Sequence, residues 1–225
     1  MQTFYRSYFL FLIACSTMPL TLAQKPAQTP PVAFEEWKDD FNEAELDQVK
    51  WERFTFEGGS GGKIEVKDGQ LRQRAVSGSR AGVRSKPSFS GDRFIVEGTV
   101  ARVGPGLPDA GSKSMPLGFA SLTLLFDSSG RNRVEWILTS EGTFEAWSIV
   151  DGTGERLDNR KLGTKIKNPT IGIVRRGDEF LFMLNGEEGM RHTIRNMPRT
   201  FHLMLNGYGS SENNWDDVRV VTAKS

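Results

Sequence analysis

Short apolar runs recur along the chain from about residue 37 to its last residues. Each run is rich in Val, Ile, Phe or Trp, and Gly, Asp, Asn and Ser separate the runs. This spacing is typical of antiparallel sandwiches and barrels, and no long segment repeats apolar residues with a helical period. The pattern predicts strands at 63–67, 70–76, 94–103, 119–126, 133–139, 143–150, 170–175, 179–184, 201–206 and 217–221.

Two of these segments indicate how the predicted sheets are covered. In 94–103, Phe94, Val96 and Val100 share one parity, and Glu97 lies on the other. Alternation of this kind indicates a strand with one buried and one wet face. The segment 180–184 is apolar on both parities, as in a strand covered on both faces. We therefore expect two stacked antiparallel sheets.

Turn residues support the same assignment. Asp68-Gly69 and Gly177-Asp178 each separate two predicted strands, and glycine supplies the positive φ that two-residue hairpins need. The segment 104–116 is rich in Gly and Pro, which predicts a loop at the rim of the sheets. Such a loop could border a binding site or form plain surface.

The first 23 residues differ from the rest. Arg6 is their only charge, and an apolar run at 9–14 follows it. This predicts a secretory leader at 1–23, a flexible tether at 24–36 and a folded domain at 37–223.

A second processing route is open. Leu12-Ile13-Ala14-Cys15 resembles a bacterial lipobox, in which 1–14 would be the signal and Cys15 the lipidated residue. The alternative is that Cys15 is a passive residue of the leader. Because it is the only cysteine, the folded domain has no disulfide.

Charge excludes one class of partner. The chain has 29 Lys and Arg and 28 Asp and Glu, and the leader removes one positive charge. A balanced domain does not favour nucleic acid as a partner. Membrane contact is expected only through the lipid anchor, if Cys15 carries one.

The order of several short motifs points to a family. Asp39-Asp40-Phe41 is followed by Trp51, and near the other end Met183-Leu184-Asn185-Gly186 precedes Trp215-Asp216-Asp217. Over residues 37–221 this order resembles bacterial concanavalin A-like lectin/glucanase domains, the laminin-G-like jelly rolls of exported proteins. The resemblance implies an all-β, two-sheet antiparallel jelly-roll sandwich in which the first and last strands pair. It also implies that the concave face and its loops carry the ligand.

The resemblance does not bring a catalytic motif with it. Glucanases of this fold carry Glu-x-Asp-x-(x)-Glu on one strand, where alternate carboxylates share a face, and this sequence has no such triple. The nearest arrangement is Glu135 and Glu145, which a hairpin at 140–142 could bring together. They could equally be surface charges. His192 and His202 lie on different elements with no Ser or Cys elbow beside them.

Candidate ligand-binding residues lie on the same predicted hairpin. A two-residue turn at 141–142 would make Trp136 and Trp147 direct cross-strand neighbours, either as a sugar platform or as a core pair. Trp136 shares its parity with apolar residues, which favours burial, and Arg133 and Glu135 take the other face. We predict Arg133, Glu135 and Trp147 as ligand-binding residues, with exposure to bulk solvent as the alternative.

A structural calcium ion is a further expectation. Many jelly-roll binding modules hold calcium between the first and last strands, and Asp40 and Asp217 occupy comparable terminal positions here. Carboxylates suit that ion, which needs six to eight oxygens. Capping or solvent contact is the alternative. No organic cofactor is expected.

These observations favour an exported, non-catalytic domain that binds carbohydrate or another component of the cell surface. We expect it outside the cytoplasm, as a secreted, periplasmic or lipid-anchored protein. The alternatives are a glycan-active hydrolase or lyase of the same fold, and a structural protein of the cell envelope.

Overall fold

The computed structural model describes residues 33–55, 62–74, 80–106, 117–162, 166–208 and 212–223. For residues 80, 81 and 208 it describes the backbone alone. The predicted leader, Cys15 and most of the tether lie outside these ranges, as does most of the predicted rim loop. Lipidation of Cys15 therefore stays a prediction.

Every regular element in these ranges is a strand. None of the described residues forms a helix long and apolar enough to cross a membrane. In chain order the strands are β1 Phe34–Asp39, β2 Trp51–Thr55, β3 Lys63–Lys67, β4 Gln70–Arg74, β5 Arg80–Ser85, β6 Phe89–Ser90, β7 Arg93–Val103, β8 Phe119–Leu125, β9 Arg133–Thr139, β10 Thr143–Val150, β11 Thr153–Lys161, β12 Thr170–Arg176, β13 Glu179–Leu184, β14 Glu187–Thr193, β15 Thr200–Tyr208 and β16 Glu212–Ala223.

The strands form two antiparallel sheets. Sheet A has the order β14-β13-β12-β7-β16-β4-β3, and β1 also pairs with β16. Sheet B has the order β11-β10-β9-β8-β15-β5-β2, and β6 pairs with β15. The first and last strands are thus paired, as the resemblance implied, and the fold is the expected all-β jelly-roll sandwich.

The core lies between the two sheets. Its largest fully buried side chains include Trp51, Trp136 and Trp215. The Trp136 indole on β9 donates a hydrogen bond from Nε1 to the carbonyl of Met183 on β13 at 2.9 Å. Buried tryptophans usually find such a partner for the indole N–H. This bond joins sheet B to sheet A.

Predicted and observed bounds agree in full for four strands. The strands at 63–67, 133–139, 143–150 and 179–184 have the predicted bounds. The Asp68-Gly69 turn has φ values of 54° and 68°, and Gly177 has φ 67°, so both predicted two-residue hairpins are confirmed.

Six strands escaped prediction: β1, β2, β5, β6, β11 and β14. The strand β11 shows the reason, because its residues are exposed except for half-buried Leu157. A strand at the edge of a sheet with both faces in water has no apolar alternation to reveal it. Backbone pairing with β10 alone defines it.

Candidate functional site

The strand β9 divides its side chains between the core and the outer face of sheet B. Val134, Trp136 and Leu138 belong to the core between the sheets. Because successive side chains in a strand point to opposite faces, Arg133, Glu135 and Ile137 lie on the outer face. The predicted parity of this strand is confirmed.

The register of the β9–β10 hairpin decides which residues meet on that face. Glu135 pairs with Trp147, and Ile137 pairs with Glu145. All four side chains therefore share the outer face. Glu135 and Glu145 are therefore diagonal neighbours. The sequence had left open whether these two carboxylates meet, and the hairpin brings them together.

The same register corrects the expectation for the two tryptophans. Phe144 pairs with Leu138, so the turn contains three residues, 140–142, rather than two. Gly142 closes it with φ 77°, as is common for three-residue hairpins. Trp136 consequently lies opposite Ala146 and not opposite Trp147. One tryptophan is in the core, and the other is on the outer face.

A groove of about 320 Å³ follows the outer face of β9 and β10. We call it the outer groove. It contains the three predicted ligand-binding residues and the second carboxylate, and it is lined by Phe119, Arg133, Glu135, Ile137, Glu145, Trp147, Ile149 and Gly154.

Glu135 is held in the floor of the outer groove. Its side chain is almost fully buried, and Arg133 Nε donates to its Oε1 at 2.7 Å. Arg133 also donates from Nη1 to the carbonyl of Gly130. A buried carboxylate needs charge-assisted hydrogen bonds of this kind to offset its lost hydration. Arg133 therefore fixes the position of Glu135.

Trp147 and Glu145 form the more accessible part of the groove. Both side chains are half-buried. The indole Nε1 of Trp147 donates to Glu145 Oε2 at 2.9 Å. An indole held in this way presents an apolar ring with a polar edge, which suits the face of a sugar ring.

Sequence reasoning missed a polar cluster beside the groove, formed by Ser121 and Thr123 on β8 and Asn206 on β15. Asn206 Nδ2 donates to Thr123 Oγ1 at 2.8 Å, and the two hydroxyls are 3.0 Å apart. Asn206 Oδ1 is buried and has no hydrogen-bond partner in the described part of the chain. The available signal was the shared parity of Ser121 and Thr123 in an otherwise apolar segment.

Comparison with solved structures identifies the architecture. An endo-β-1,3-glucanase from Pyrococcus furiosus superposes with a TM-score of 0.64 at 15% identity, over 84% of this chain and 94% of that chain. A β-glucanase from Bacillus licheniformis gives 0.62 at 12% identity, over 84% and 98%. The chain has the concanavalin A-like jelly-roll fold.

A carbohydrate-binding module, CBM66 from Bacillus subtilis, shares the jelly roll as well. Its TM-score is 0.55 at 14% identity, over 79% of this chain and 96% of that chain. No protein-family model and no curated protein sequence matches this jelly roll. At such low identity the likeness establishes the fold, and function has to be argued from the site.

The predicted calcium ligands lie on the outer face of sheet A. Asp40 and Asp217 line one depression of about 370 Å³, together with Glu97 and Arg219. Among the residues with described side chains, no three His, Cys, Asp or Glu are grouped so as to hold a metal ion. Calcium binding by this jelly roll remains a prediction.

An acidic neighbour changes the electrostatics of that depression. Burial raises the pKa of Asp216 above its usual value, and the charges of Asp217 and Asp40 raise it further. The negative charges of Asp40 and Asp217 thus make ionisation of Asp216 less favourable, close to where the first and last strands pair. Any cation bound there would relieve the repulsion.

The two histidines of the jelly roll are separated by the sandwich. His192 is on β14 of sheet A, whereas His202 is on β15 of sheet B. His202 Nδ1 donates to the carbonyl of Ser85 at 2.8 Å. Neither residue lines the outer groove.

Proposed function

We propose that this chain is a glycan-active hydrolase whose substrate lies in the outer groove. The observation that carries the proposal is the diagonal pair of carboxylates, Glu135 and Glu145, on one face beside the Trp147 indole. Diagonal residues on neighbouring strands have Cβ atoms about 7 Å apart. Glutamate side chains can adjust from there to the range of roughly 5–9 Å that glycoside hydrolases use.

The two carboxylates have the different surroundings that such chemistry requires. Glu135 is ion-paired with Arg133 and held in one position, which suits a nucleophile or a stabiliser of positive charge at the anomeric carbon. Glu145 is half-buried and lines the accessible part of the outer groove, which suits a general acid that must reach the leaving oxygen. The reaction breaks one glycosidic C–O bond and adds one water molecule.

The comparisons support this proposal over the non-catalytic hypothesis drawn from the sequence. Two of the three jelly rolls described above are named as glucanases. Glycans are therefore the substrate class to test first, beginning with β-1,3-glucan and mixed β-1,3-1,4-glucan. A location outside the cytoplasm fits polymeric substrates of this kind and belongs to the same proposal.

A second candidate is glycan binding without hydrolysis. The observation that favours it is the tight enclosure of Glu135, which is 1% exposed and paired with Arg133. On β9 the outer-face positions 133, 135 and 137 carry only one carboxylate, so the glucanase triple is absent there. The carbohydrate-binding module among the compared structures has the same fold.

One experiment separates the two candidates. The purified protein is incubated with each glucan, and bound protein and released oligosaccharides are both measured. We expect product from the wild type and a large loss of product in Glu135→Gln and in Glu145→Gln. Glu141→Gln is the matched control, because Glu141 is exposed on the turn of the same hairpin.

Each outcome decides something. Binding without product in the wild type would overturn hydrolysis and support the binding module. Product that survives both glutamine variants would overturn the assigned carboxylates. If no glycan binds or is cleaved, both candidates fail, and the structural role in the envelope becomes the hypothesis to pursue.

A further inference from the structure

A second hollow lies on the outer face of sheet B, on the side of β15 and β5. It has a volume of about 350 Å³, and its lining includes Arg84, Asp127, Ser128, Arg199, Thr200 and His202. The outer groove on β9 and β10 is separate from it. Leu125 also lines this second hollow and stands between Arg133 and His202 in the strand register.

Two arginines, Arg84 and Arg199, line the hollow from different parts of the fold. Arg84 lies on β5, and its Nε and Nη2 both donate to Glu52 Oε1, at 2.9 and 2.5 Å. Its guanidinium also covers the Phe54 ring, 4.4 Å from the centroid. These contacts fix the guanidinium plane. No described residue accepts a hydrogen bond from Nη1, which can therefore donate to another acceptor.

Arg199 approaches from the connection between β14 and β15. Its nearest carboxylate is Asp92, at 3.8 Å, and its side chain is 74% exposed. Buried Arg175 donates to the carbonyls of Met197 and Pro198 and so fixes the backbone that carries Arg199. The core thereby fixes the backbone position of Arg199.

The carboxylate in the hollow is already engaged. Asp127 accepts hydrogen bonds from Ser129 Oγ and the backbone amide of Arg131 on Oδ1, and from the amide of Asn132 on Oδ2. Burial raises the pKa of Asp127, but those hydrogen bonds together outweigh it and bring the pKa below its usual value. Glu52 and Asp92, the partners of the two arginines, are not among the residues that line the hollow.

In its neutral form, His202 adds a hydrogen-bond acceptor to the hollow. A carbonyl oxygen can only accept, so the bond to Ser85 places the proton of a neutral ring on Nδ1. Nε2 is then an acceptor on the other side of the ring, and no described residue donates to it. A sugar hydroxyl is a donor of the right kind.

We propose that this arginine hollow binds an anionic group of a glycan, a carboxylate or a sulfate ester, through Arg84 and Arg199. His202 Nε2 accepts a neighbouring hydroxyl of the same sugar. Arginine suits such oxyanions because its planar N–H fork matches their geometry. The inference deepens the proposed function and rests on it, since it adds a preference for an acidic group to the glycan that binds in the outer groove.

The strand register relates the two sites. His202 pairs with Leu125, and Leu125 pairs with Arg133 of the outer groove. Two interstrand spacings amount to about 9.6 Å. A glycan of a few sugar units that crosses the strands can therefore reach the arginine hollow and the outer groove together.

The test compares three oligosaccharides of equal length by calorimetric titration of the purified protein. They are a carboxylated oligogalacturonate, a sulfated carrageenan oligosaccharide and a neutral β-1,3-glucan. We expect at least one acidic probe to bind about tenfold more tightly than the neutral one. Comparison of the two acidic oligosaccharides shows whether a carboxylate or a sulfate ester is preferred.

Variants assign the preference to the hollow. Arg84→Gln and Arg199→Gln should each weaken the acidic probe about tenfold and change the neutral probe less than about twofold. His202→Phe should weaken both probes. Arg102→Gln is the matched control, because Arg102 is an exposed, ion-paired arginine on sheet A. Arg84→Lys keeps the charge, so recovery of part of the affinity excludes a purely structural loss.

The outcomes separate this inference from the proposed function. Equal binding of acidic and neutral probes would overturn anion binding by the arginine hollow, and so would an acidic preference that survives both glutamine variants. Neither result would contradict glycan binding in the outer groove. If galacturonate monosaccharide shifts the His202 NMR signals while no oligosaccharide binds, anion binding by the arginine hollow is supported and the proposed function in the outer groove is contradicted. If no probe binds in any arm, both fail.

Discussion

Trp136 and Trp147 lie on one hairpin but on opposite faces of sheet B. Trp136 is 1% exposed and packs in the core, where its ring centroid is 5.2 Å from that of Phe144. Trp147 is half-buried in the outer groove and lies opposite Glu135. Two identical side chains therefore have separable roles, one in stability and one at the surface.

Alanine substitution should separate those roles. Trp136→Ala should lower the free energy of unfolding by about 3–5 kcal/mol, because it opens a cavity and removes the bond to Met183. Trp147→Ala should cost about 1 kcal/mol and weaken glycan binding about tenfold. Urea unfolding and glycan titration measure the two effects. Equal losses of stability would contradict the assigned faces.

The ion pair between Arg133 and Glu135 should be asymmetric on mutation. Arg133→Gln leaves the buried Glu135 carboxylate with less compensation, and we expect a loss of about 3 kcal/mol in the free energy of unfolding. Glu135→Gln removes the buried charge itself and should cost less. Urea unfolding compares them, with Lys63→Gln as a control, because Lys63 makes an exposed ion pair with Glu65. A control as damaging as Arg133→Gln would argue against burial as the cause.

Gly82 should not tolerate a side chain. A Cβ at this position would lie 1.9 Å from the carbonyl oxygen of Leu205 and 2.8 Å from Cα of Asn206. Gly82→Ala should therefore force β5 away from β15 and cost more than about 3 kcal/mol. Gly142→Ala meets open space and only the strain of φ 77°, which costs about 1–2 kcal/mol. Similar unfolding midpoints for the two variants would refute the close approach of these strands.

The raised pKa of Asp216 predicts a pH-dependent cost to stability. The folded state holds the Asp216 proton more tightly than the unfolded state does, mainly because of burial. Stability therefore falls as pH rises from the unfolded value of 3.8 through the raised value. Asp216→Asn should raise the melting temperature at neutral pH, and the gain should vanish toward pH 3.8.

A matched variant keeps that test specific. Asp158→Asn changes an exposed aspartate on β11 and should leave the pH profile as in the wild type. A gain from Asp216→Asn that persists with the same size in acid would mean that its cause is not the carboxylate charge.

Calcium binding at the Asp40 and Asp217 depression is tested by thermal unfolding with calcium and with chelator. If the metal binds the folded state, calcium should raise the melting temperature of the wild type. Asp217→Asn should abolish the increase and keep the chelator value. Asparagine is preferred to alanine, because Asp217 has φ 40° and asparagine tolerates that conformation. A wild-type melting temperature independent of calcium would remove the predicted site.

The sequence by itself determined the strands β9 and β10 and the faces of their side chains. The bounds of β9 and β10, the inward direction of Trp136 and the outward direction of Arg133 and Glu135 all follow from a period of two. The Asp68-Gly69 turn follows from local turn chemistry in the same way. These features depend on residues a few positions apart, so a linear pattern contains them.

Only the tertiary structure decided which strands and residues meet. The three-residue turn at 140–142 placed Trp147 opposite Glu135 and brought Glu145 to the same face. The pairing of β5 with β15 placed Arg84 beside His202, although the two are far apart in the sequence. Strand order and register come from contacts summed over distant segments, and a one-residue change of register reverses a strand's faces. For that physical reason the sequence alone could propose the parts of the outer groove but not their assembly, and it did not indicate the arginine hollow.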